Sequence, residues 1–366
     1  KLPVKGLSFR SQFGYNYRSQ MNGTYYGRNT VTGKKVDGRA ELANNHTTDW
    51  TWENVLKFDR NFGKHHIDFT GLFSMQEAQY TAASQSGEGF VNDDSSFYRM
   101  DGAENKIAIS SSFWKENFVS GMFRVNYGFN SKYLLTLTGR ADSFSAFAEN
   151  HKWAFFPSAS VGWRISQEPW WNVKSEHISN AKVRFSWGSL GNAAGLSNYQ
   201  YIQTLGISKS DYILDGLRQN YMSSPAALPG NLTWETATTY DIGVDLGFFD
   251  NRLTVSGDYY IRKTTDMIVN GPTVPDVFGA SSPKGNYADM STYGYELSLE
   301  WKDGFDLAGK RFNYSIKGTL ADYYSVIDKF NNANMSLSEY ANQSLDKNYY
   351  EGMRIGEIWG FVSNGL

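Results

Sequence analysis

The sequence predicts an all-β fold, a transmembrane antiparallel β-barrel with about twelve strands in this chain. Three observations carry that expectation. Tight connections alternate with much longer ones along the whole chain, apolar and polar residues alternate with period two between them, and a composition polar on average is rich in aromatic rings.

The connections come first. Asp59 to Lys64, Asn130 to Lys132 and Asp250 to Arg252 read as tight turns, whereas Ser19 to Thr47, Tyr80 to Asn117, Leu190 to Thr236, Thr264 to Thr292 and Ser325 to Arg354 read as long loops. Outer-membrane barrels pair short periplasmic turns with long extracellular loops. A soluble sandwich distributes its long loops over both ends. Gln167 to Ser179, where Glu168-Pro169-Trp170-Trp171 interrupts the β pattern, has local helical promise and falls on the short-turn side, as an amphipathic turn at the barrel rim.

The strands follow in order. Leu7, Phe9, Phe13, Tyr15 and Tyr17 share one face of the first, and Trp50, Trp52, Leu56 and Phe58 one face of the second. Ile67, Phe69, Phe73 and Met75 mark the third, Val119 to Phe129 the fourth, and Tyr133, Leu135 and Leu137 the fifth. Trp153 to Ile165, Val183 to Trp187, the hairpin Tyr240 to Phe248 with Leu253 to Ile261, and the pair Tyr295 to Trp301 with Phe312 to Leu320 continue the series. A last strand is expected from about Ile355, and each strand is read as about 9–11 residues, the length a tilted membrane strand requires. Phe9, Phe13, Tyr127, Leu135, Val161, Val244, Val255 and Leu297 are assigned to lipid, and the opposite parity, with Arg124, Arg140, Arg164, Lys182, Arg184, Arg262, Glu296, Glu300 and Lys317, to a hydrated lumen.

Composition agrees. The mean hydropathy is −0.50, and no apolar run reaches the roughly 18 residues of a membrane helix. Yet the 366 residues include 24 Tyr, 24 Phe and 11 Trp, residues favoured at membrane interfaces. Zero cysteines rule out a disulfide scaffold and thiolate metal sites. A net charge of −2 lacks the basic excess of a nucleic-acid partner. From Lys1 the chain opens almost at once into a strand, and it stops at Leu366 just after another begins, so both ends are expected to continue into something larger.

No catalytic spacing is readable. His65 and His66 adjoin a tight turn and point to opposite sides, so they do not chelate one metal. Asn92, Asp93, Asp94, Ser95 and Ser96 form an oxygen-rich loop that reads as solvated, and no cofactor or metal is expected. Loop aromatics are the candidate ligand or partner contacts: Phe97, Tyr98, Phe113, Trp114, Tyr199, Tyr201, Tyr212 and Tyr221. The alternative reading of those rings is a secreted β-rich carbohydrate-binding or carbohydrate-active protein.

Several segments resemble the SusC-like (RagA-like) branch of TonB-dependent outer-membrane transporters of Bacteroidetes. Gly139-Arg140-Ala141-Asp142-Ser143 with Phe147 resembles that family's GRADGSSRF stretch, with the second Gly and the Ser-Arg altered. Phe156-Pro157-Ser158 through Gly162-Trp163-Arg164-Ile165-Ser166-Gln167-Glu168 is similar to FPSxSxGWxISxE, and Ser186 to Asn192 to SxGxxGN. Leu232-Thr233-Trp234-Glu235, Tyr240 to Asp245, Phe248 to Arg252 and Asp258 to Ile268 complete the run. Glu351 to Gly360 is similar to EGxPIGxxWG with Arg354 in place of Pro, while Ala288 and Thr292 depart from the usual Gly and Asn. The resemblance implies a barrel of about 22 strands, filled by an N-terminal plug and capped by a SusD-like surface lipoprotein. It also implies import of oligosaccharides or oligopeptides with energy from the TonB complex. This segment would be the middle of that barrel, without plug, TonB box or closing strands.

Overall fold

The computed structural model describes residues 4–202, 206–214, 216–222, 232–271, 283–330 and 349–358, together with residues 228, 277 and 365. Among them, eleven strands form one antiparallel sheet: β1 (Leu7–Tyr26), β2 (Arg39–Phe62), β3 (His65–Glu88), β4 (Asn105–Phe129), β5 (Tyr133–Phe144), β6 (Trp153–Arg164), β7 (Asn180–Asn192), β10 (Glu235–Phe248), β11 (Leu253–Asn270), β12 (Lys284–Leu307) and β13 (Lys310–Phe330). Each pairs with the next in that order, so β1 and β13 are the two edges and the sheet does not close on itself among the described residues. β8 (Ile207–Leu214) and β9 (Leu217–Met222) form a separate hairpin inside the β7–β10 connection.

The tight turns are built by backbone that tolerates positive φ. Ala308 and Gly309 both adopt it, closing β12 to β13 in the two-residue turn whose twist matches that of the flanking strands. Asn130 and Ser131 turn β4 into β5, and Phe249, Asp250 and Asn251 are three consecutive left-handed residues between β10 and β11. A bulky Phe is rarely found there. Phe249 is held by ring contacts with Phe248 and Trp301.

Three expectations need correction. The sheet strands run from 12 to 25 residues rather than 9–11. The sequence pattern reads only the half nearer the short turns: beyond it apolar and polar residues mix on both faces, so the hydrophobic alternation fades while the backbone ladder continues. For example, Met21, Asn22 and Gly23 of β1 pair with Asn44, Ala43 and Leu42 of β2. The connections are correspondingly shorter, spanning 27–38 between β1 and β2 and 89–104 between β3 and β4. Of the expected strand at Ile355, the described residues contain one isolated bridge, Val326 to Arg354, between turns; Trp359 and Gly360 of that motif lie outside the described residues. The 165–179 connection is a run of turns, as expected, opening with a 3₁₀ turn at Ile165–Gln167.

A sheet that is a single layer buries little. Two small aromatic clusters lie at the long-connection end. Ala40, Phe90 and Ala103 pack with Tyr25, Phe97 and Met100, and Phe147, Phe156 and Trp234 pack with Phe118, Phe144 and Leu196.

Candidate functional site

Register carries each face across the whole sheet, because side chains alternate with period two and cross-strand partners share a side. One row reads Ile67, Tyr127, Leu135, Val161, Phe185, Ile242, Tyr259, Tyr295. All eight residues assigned to lipid lie on this apolar face. At the short-turn end it finishes in a lateral belt of Phe62, His65, Phe129, Tyr133 and Trp163. On β4 the apolar band from Val119 to Phe129 is ten residue steps at roughly 3.3 Å each, tilted by roughly 40°, so it stands about 25 Å tall, the height of a membrane barrel's apolar band.

The same registers place Arg124, Arg140, Arg164, Lys182, Arg184, Arg262, Glu296, Glu300 and Lys317 together on the opposite face. There Arg184 of β7 is the centre of a ladder. Its Nε donates to Asp245 Oδ2 at 2.9 Å on β10, and its Nη2 lies 2.9 Å from Asp258 Oδ1 on β11. Lys182 adds a second cation 3.5 Å from Asp245. The guanidinium reaches Asp258 by crossing β10 over Gly243, which is paired with both residues. A Cβ on Gly243 would lie against Asp258 Oδ1 and 2.7 Å from Arg184 Cζ. The glycine of Tyr240–Asp245 is therefore the gap through which the bridge passes. Along the same face, Glu300 pairs with Lys302 at 2.9 Å and accepts from Ser315. Arg262 reaches Thr239 Oγ1 and lies over the Tyr260 ring.

Nearer the long connections, Arg140 Nε donates to both oxygens of Asp142 at 2.8 Å, and its Nη2 to Ser120 Oγ at 2.6 Å; Ser120 also donates to Asp142. This triad borders a cleft of about 760 Å³ lined by hydroxyls of Thr136, Thr138, Ser158 and Ser186, by Arg124, and by Phe156 and Trp234. Trp234 is the latch above it. Its ring packs 4.8 Å from Phe147 and 5.7 Å from Phe156, and its Nε1 donates to the Lys152 carbonyl at 3.1 Å. Gly191 leaves room for the Phe156 ring, which a Cβ would strike. Asn286 grips the peptide of Thr233 with its amide, accepting from Thr233 N at 2.8 Å and donating to Thr233 O at 2.9 Å, tying the β7–β10 connection to β12.

At the short-turn end, Glu168 is 9% exposed and accepts from Tyr133 Oη, Trp163 Nε1 and Lys132 Nζ at 2.7, 2.8 and 2.9 Å. These bonds, led by that from Tyr133, hold its carboxyl down at about 2. Next to it, Ser175 Oγ donates to Asp250 and Asn251 N donates to Ser179 Oγ, locking the 165–179 connection onto the β10–β11 turn. The segment that broke the β pattern thus staples three turns of the rim.

The arrangement of these motifs matches one known architecture. The family described as TonB dependent receptor-like, beta-barrel matches residues 4–356. This chain belongs to that family. TonB-dependent receptor P3 of Formosa agariphila is 34% identical over 368 residues, covering 99% of this chain and 36% of that receptor. TonB-dependent receptor SusC of Bacteroides thetaiotaomicron is 28% identical over 256 residues, covering 68% of this chain and 24% of SusC. A solved structure of the RagAB peptide transporter shares the fold, with a TM-score of 0.77 and 21% identity over 90% of this chain and 35% of its own. The chain therefore spans about a third of the first of those curated relatives and about a quarter of the second. TonB-dependent receptors of this SusC-like kind are outer-membrane proteins of transport rather than enzymes.

The eight candidate loop aromatics are not one site. Phe97 packs into the small cluster around Phe90, while Tyr98 beside it is exposed. Phe113 and Trp114 are strand residues of β4 rather than loop residues: Phe113 is on the apolar side, and Trp114 stacks on Tyr80 at 5.6 Å on the charged side. Tyr199 Oη accepts from Lys115 N at 3.0 Å, and with Tyr201 lines a shallow cleft beside Asn117 and Ser145. Tyr212 and Tyr221 are exposed on the β8–β9 hairpin. Asp93 accepts from Tyr25 Oη at 2.8 Å and Arg28 N at 3.0 Å, bonds that fasten the 89–104 connection to that of 27–38 and lower the carboxyl's pKa. Sequence reasoning missed Asn286, the Gly243 gap and the hub role of Glu168; each needs a partner from a distant strand to be visible.

Proposed function

We propose that this chain forms the middle of the barrel of an outer-membrane importer that moves oligosaccharides or oligopeptides, with energy from the TonB complex and a SusD-like surface lipoprotein as lid. The observation that carries this is the unbroken two-faced register: an apolar band of membrane height on one side and a ladder of charges on the other. The apolar face then contacts outer-membrane lipid and the nine charged residues face the lumen, where the plug and passing solute would meet Arg124 and the hydroxyl-lined cleft. In this reading the open edges of β1 and β13, which hydrocarbon would not tolerate, pair with further strands of the same barrel.

With that orientation the connections at 27–38, 89–104, 145–152, 193–234 and 271–283 are extracellular. The lid and the nutrient would meet Tyr98, Tyr199, Tyr201, Tyr212 and Tyr221, a mixture of rings and amides suited to a wet interface. The RagAB neighbour is named a peptide transporter; the residues here suit peptide and glycan alike. Protease added to intact cells that lack the lid should cut within 193–234 and 271–283 and spare the 130–132 and 249–252 turns. Cutting at those turns instead would invert the topology. Deleting the gene should abolish growth on an oligomeric nutrient while leaving growth on its monomer unchanged, and equal growth on both would remove the import reading.

A further inference from the structure

Beyond the apolar band, the first four strands continue as a wall whose inner face, that of the charged ladder, is set by register. Across β1 to β4, Arg18, Thr47, Tyr80 and Trp114 are partners in one row, and Asn22, Ala43, Ser84 and Ser110 are partners two rows higher. Trp114 is five residue steps from Val119, roughly 13 Å above the band along the membrane normal at a tilt of roughly 40°. The outer side is polar at this level: Lys115 pairs there with Glu77 at 3.0 Å, and hydrocarbon would not hold such a pair.

Tyr80 and Trp114 stack, with ring centroids 5.6 Å apart and planes 17° from parallel. Both are half-buried, and neither Tyr80 Oη nor Trp114 Nε1 has a hydrogen-bond partner among the described residues. The pair is an apolar plane with two polar edges left open. Above it the wall is low and neutral. Ala82 follows Tyr80 on this face, Gln20, Asn45 and Ser112 share its row, and the one charge in three rows, Glu41, is 2.7 Å from Arg39. Four steps up β3 from Tyr80, roughly 13 Å along the strand, Asn22, Thr24, Glu41, Ser84 and Ser86 border a cleft of about 280 Å³. Other charge is confined to the ring row and the row below it, in Arg18, Asp49 and Glu116.

We infer that the Tyr80–Trp114 pair is a sugar-stacking platform at the mouth of the barrel, for a neutral oligosaccharide running along β3 from the rings to the Ser84 cleft. The inference rests on the importer reading above and narrows its solute to a sugar. A sugar ring has a flat C–H face, which suits an aromatic plane, and a rim of hydroxyls that both donate and accept. Amides and hydroxyls answer that rim because they too can do both. An extended peptide would instead pair its backbone with a free strand edge. Here β2 and β3 are paired on both sides, so the wall offers side chains only.

The test uses the intact receptor purified from outer membranes in mild detergent. It is incubated with neutral oligosaccharides from partially hydrolysed plant and algal polysaccharides, or with peptides from a protein digest, and retained ligand is identified by mass spectrometry. Wild type should retain a neutral oligosaccharide, whose Kd is then compared among variants. Trp114→Leu and Tyr80→Leu should each weaken binding about tenfold or more, and Trp114→Phe, which keeps a ring, about threefold or less. Phe113→Leu, on the opposite face of β4, should leave it unchanged. If either leucine variant fails to assemble, Ala82→Phe, which blocks the path beside the rings, should give the same loss. Retention of peptides alone would overturn the sugar assignment and leave import standing. A sugar bound equally by all variants would overturn the platform alone. A receptor that retains neither class would overturn the importer reading and the platform together.

Discussion

Removing Arg184 is the perturbation that best separates a structural ladder from a set of incidental surface charges. Arg184→Ala leaves Asp245 and Asp258 facing Asp241 and Glu296 on adjacent strands with Lys182 as the nearest remaining cation. Each lost charge-assisted bond is worth about 1.5–3 kcal/mol, so the two carboxylates set a ceiling of about 3–6 kcal/mol. The side chains of Arg184, Asp245 and Asp258 are 29%, 29% and 22% exposed, so water recovers part of that loss. A destabilisation of about 2–4 kcal/mol is expected for the assembled barrel. The measurement is urea unfolding of the intact protein in detergent, followed by the gel-mobility shift of folded barrels. Asp258→Asn in the Arg184→Ala background should restore part of the stability, with a coupling energy of at least about 1 kcal/mol. Gly243→Ala, which removes no charge, should cost a similar amount and should not add to Arg184→Ala. A loss below about 0.5 kcal/mol, or a purely additive cycle, would refute the ladder as a stabilising element.

Three other expectations follow from the same geometry. Val244→Arg places a charge in the middle of the apolar face and should cost about 2–4 kcal/mol, read as a lower urea midpoint with unchanged slope. Glu168 has its carboxyl held at about 2 in the folded rim against an ordinary 4.5, so its stabilisation is complete above pH 4.5 and is lost as pH falls towards 2. Glu168→Gln should flatten that acid limb and leave neutral-pH secondary structure intact, and an unchanged acid profile would remove the hub role. Trp234→Ala should cost about 3–5 kcal/mol locally and open the β7–β10 connection; limited proteolysis within 193–234 should accelerate while cleavage at 89–104 does not.

What the sequence determined by itself is the alternation. Tyr127, Leu135 and Val161 were legible as one face, and Arg184 and Glu296 as the other, because a strand sorts its side chains by parity alone and membrane placement demands that the sorting be strict. The short turns were legible too, since Asn130-Ser131 and Asp250-Asn251 are residue types that accept left-handed backbone. The lengths of β1 to β4 were not, because beyond the apolar band residue types mix on both faces and polarity no longer reports direction, although the hydrogen-bonded ladder continues. Nor were the pairs that make the site. Arg184 meets Asp258 across 74 residues of chain, Trp234 meets Lys152 across 82, and Glu168 gathers Lys132 and Tyr133 from another turn. Parity tells which side a residue occupies; only the register, fixed jointly by every strand pairing, decides which residue lies beside it.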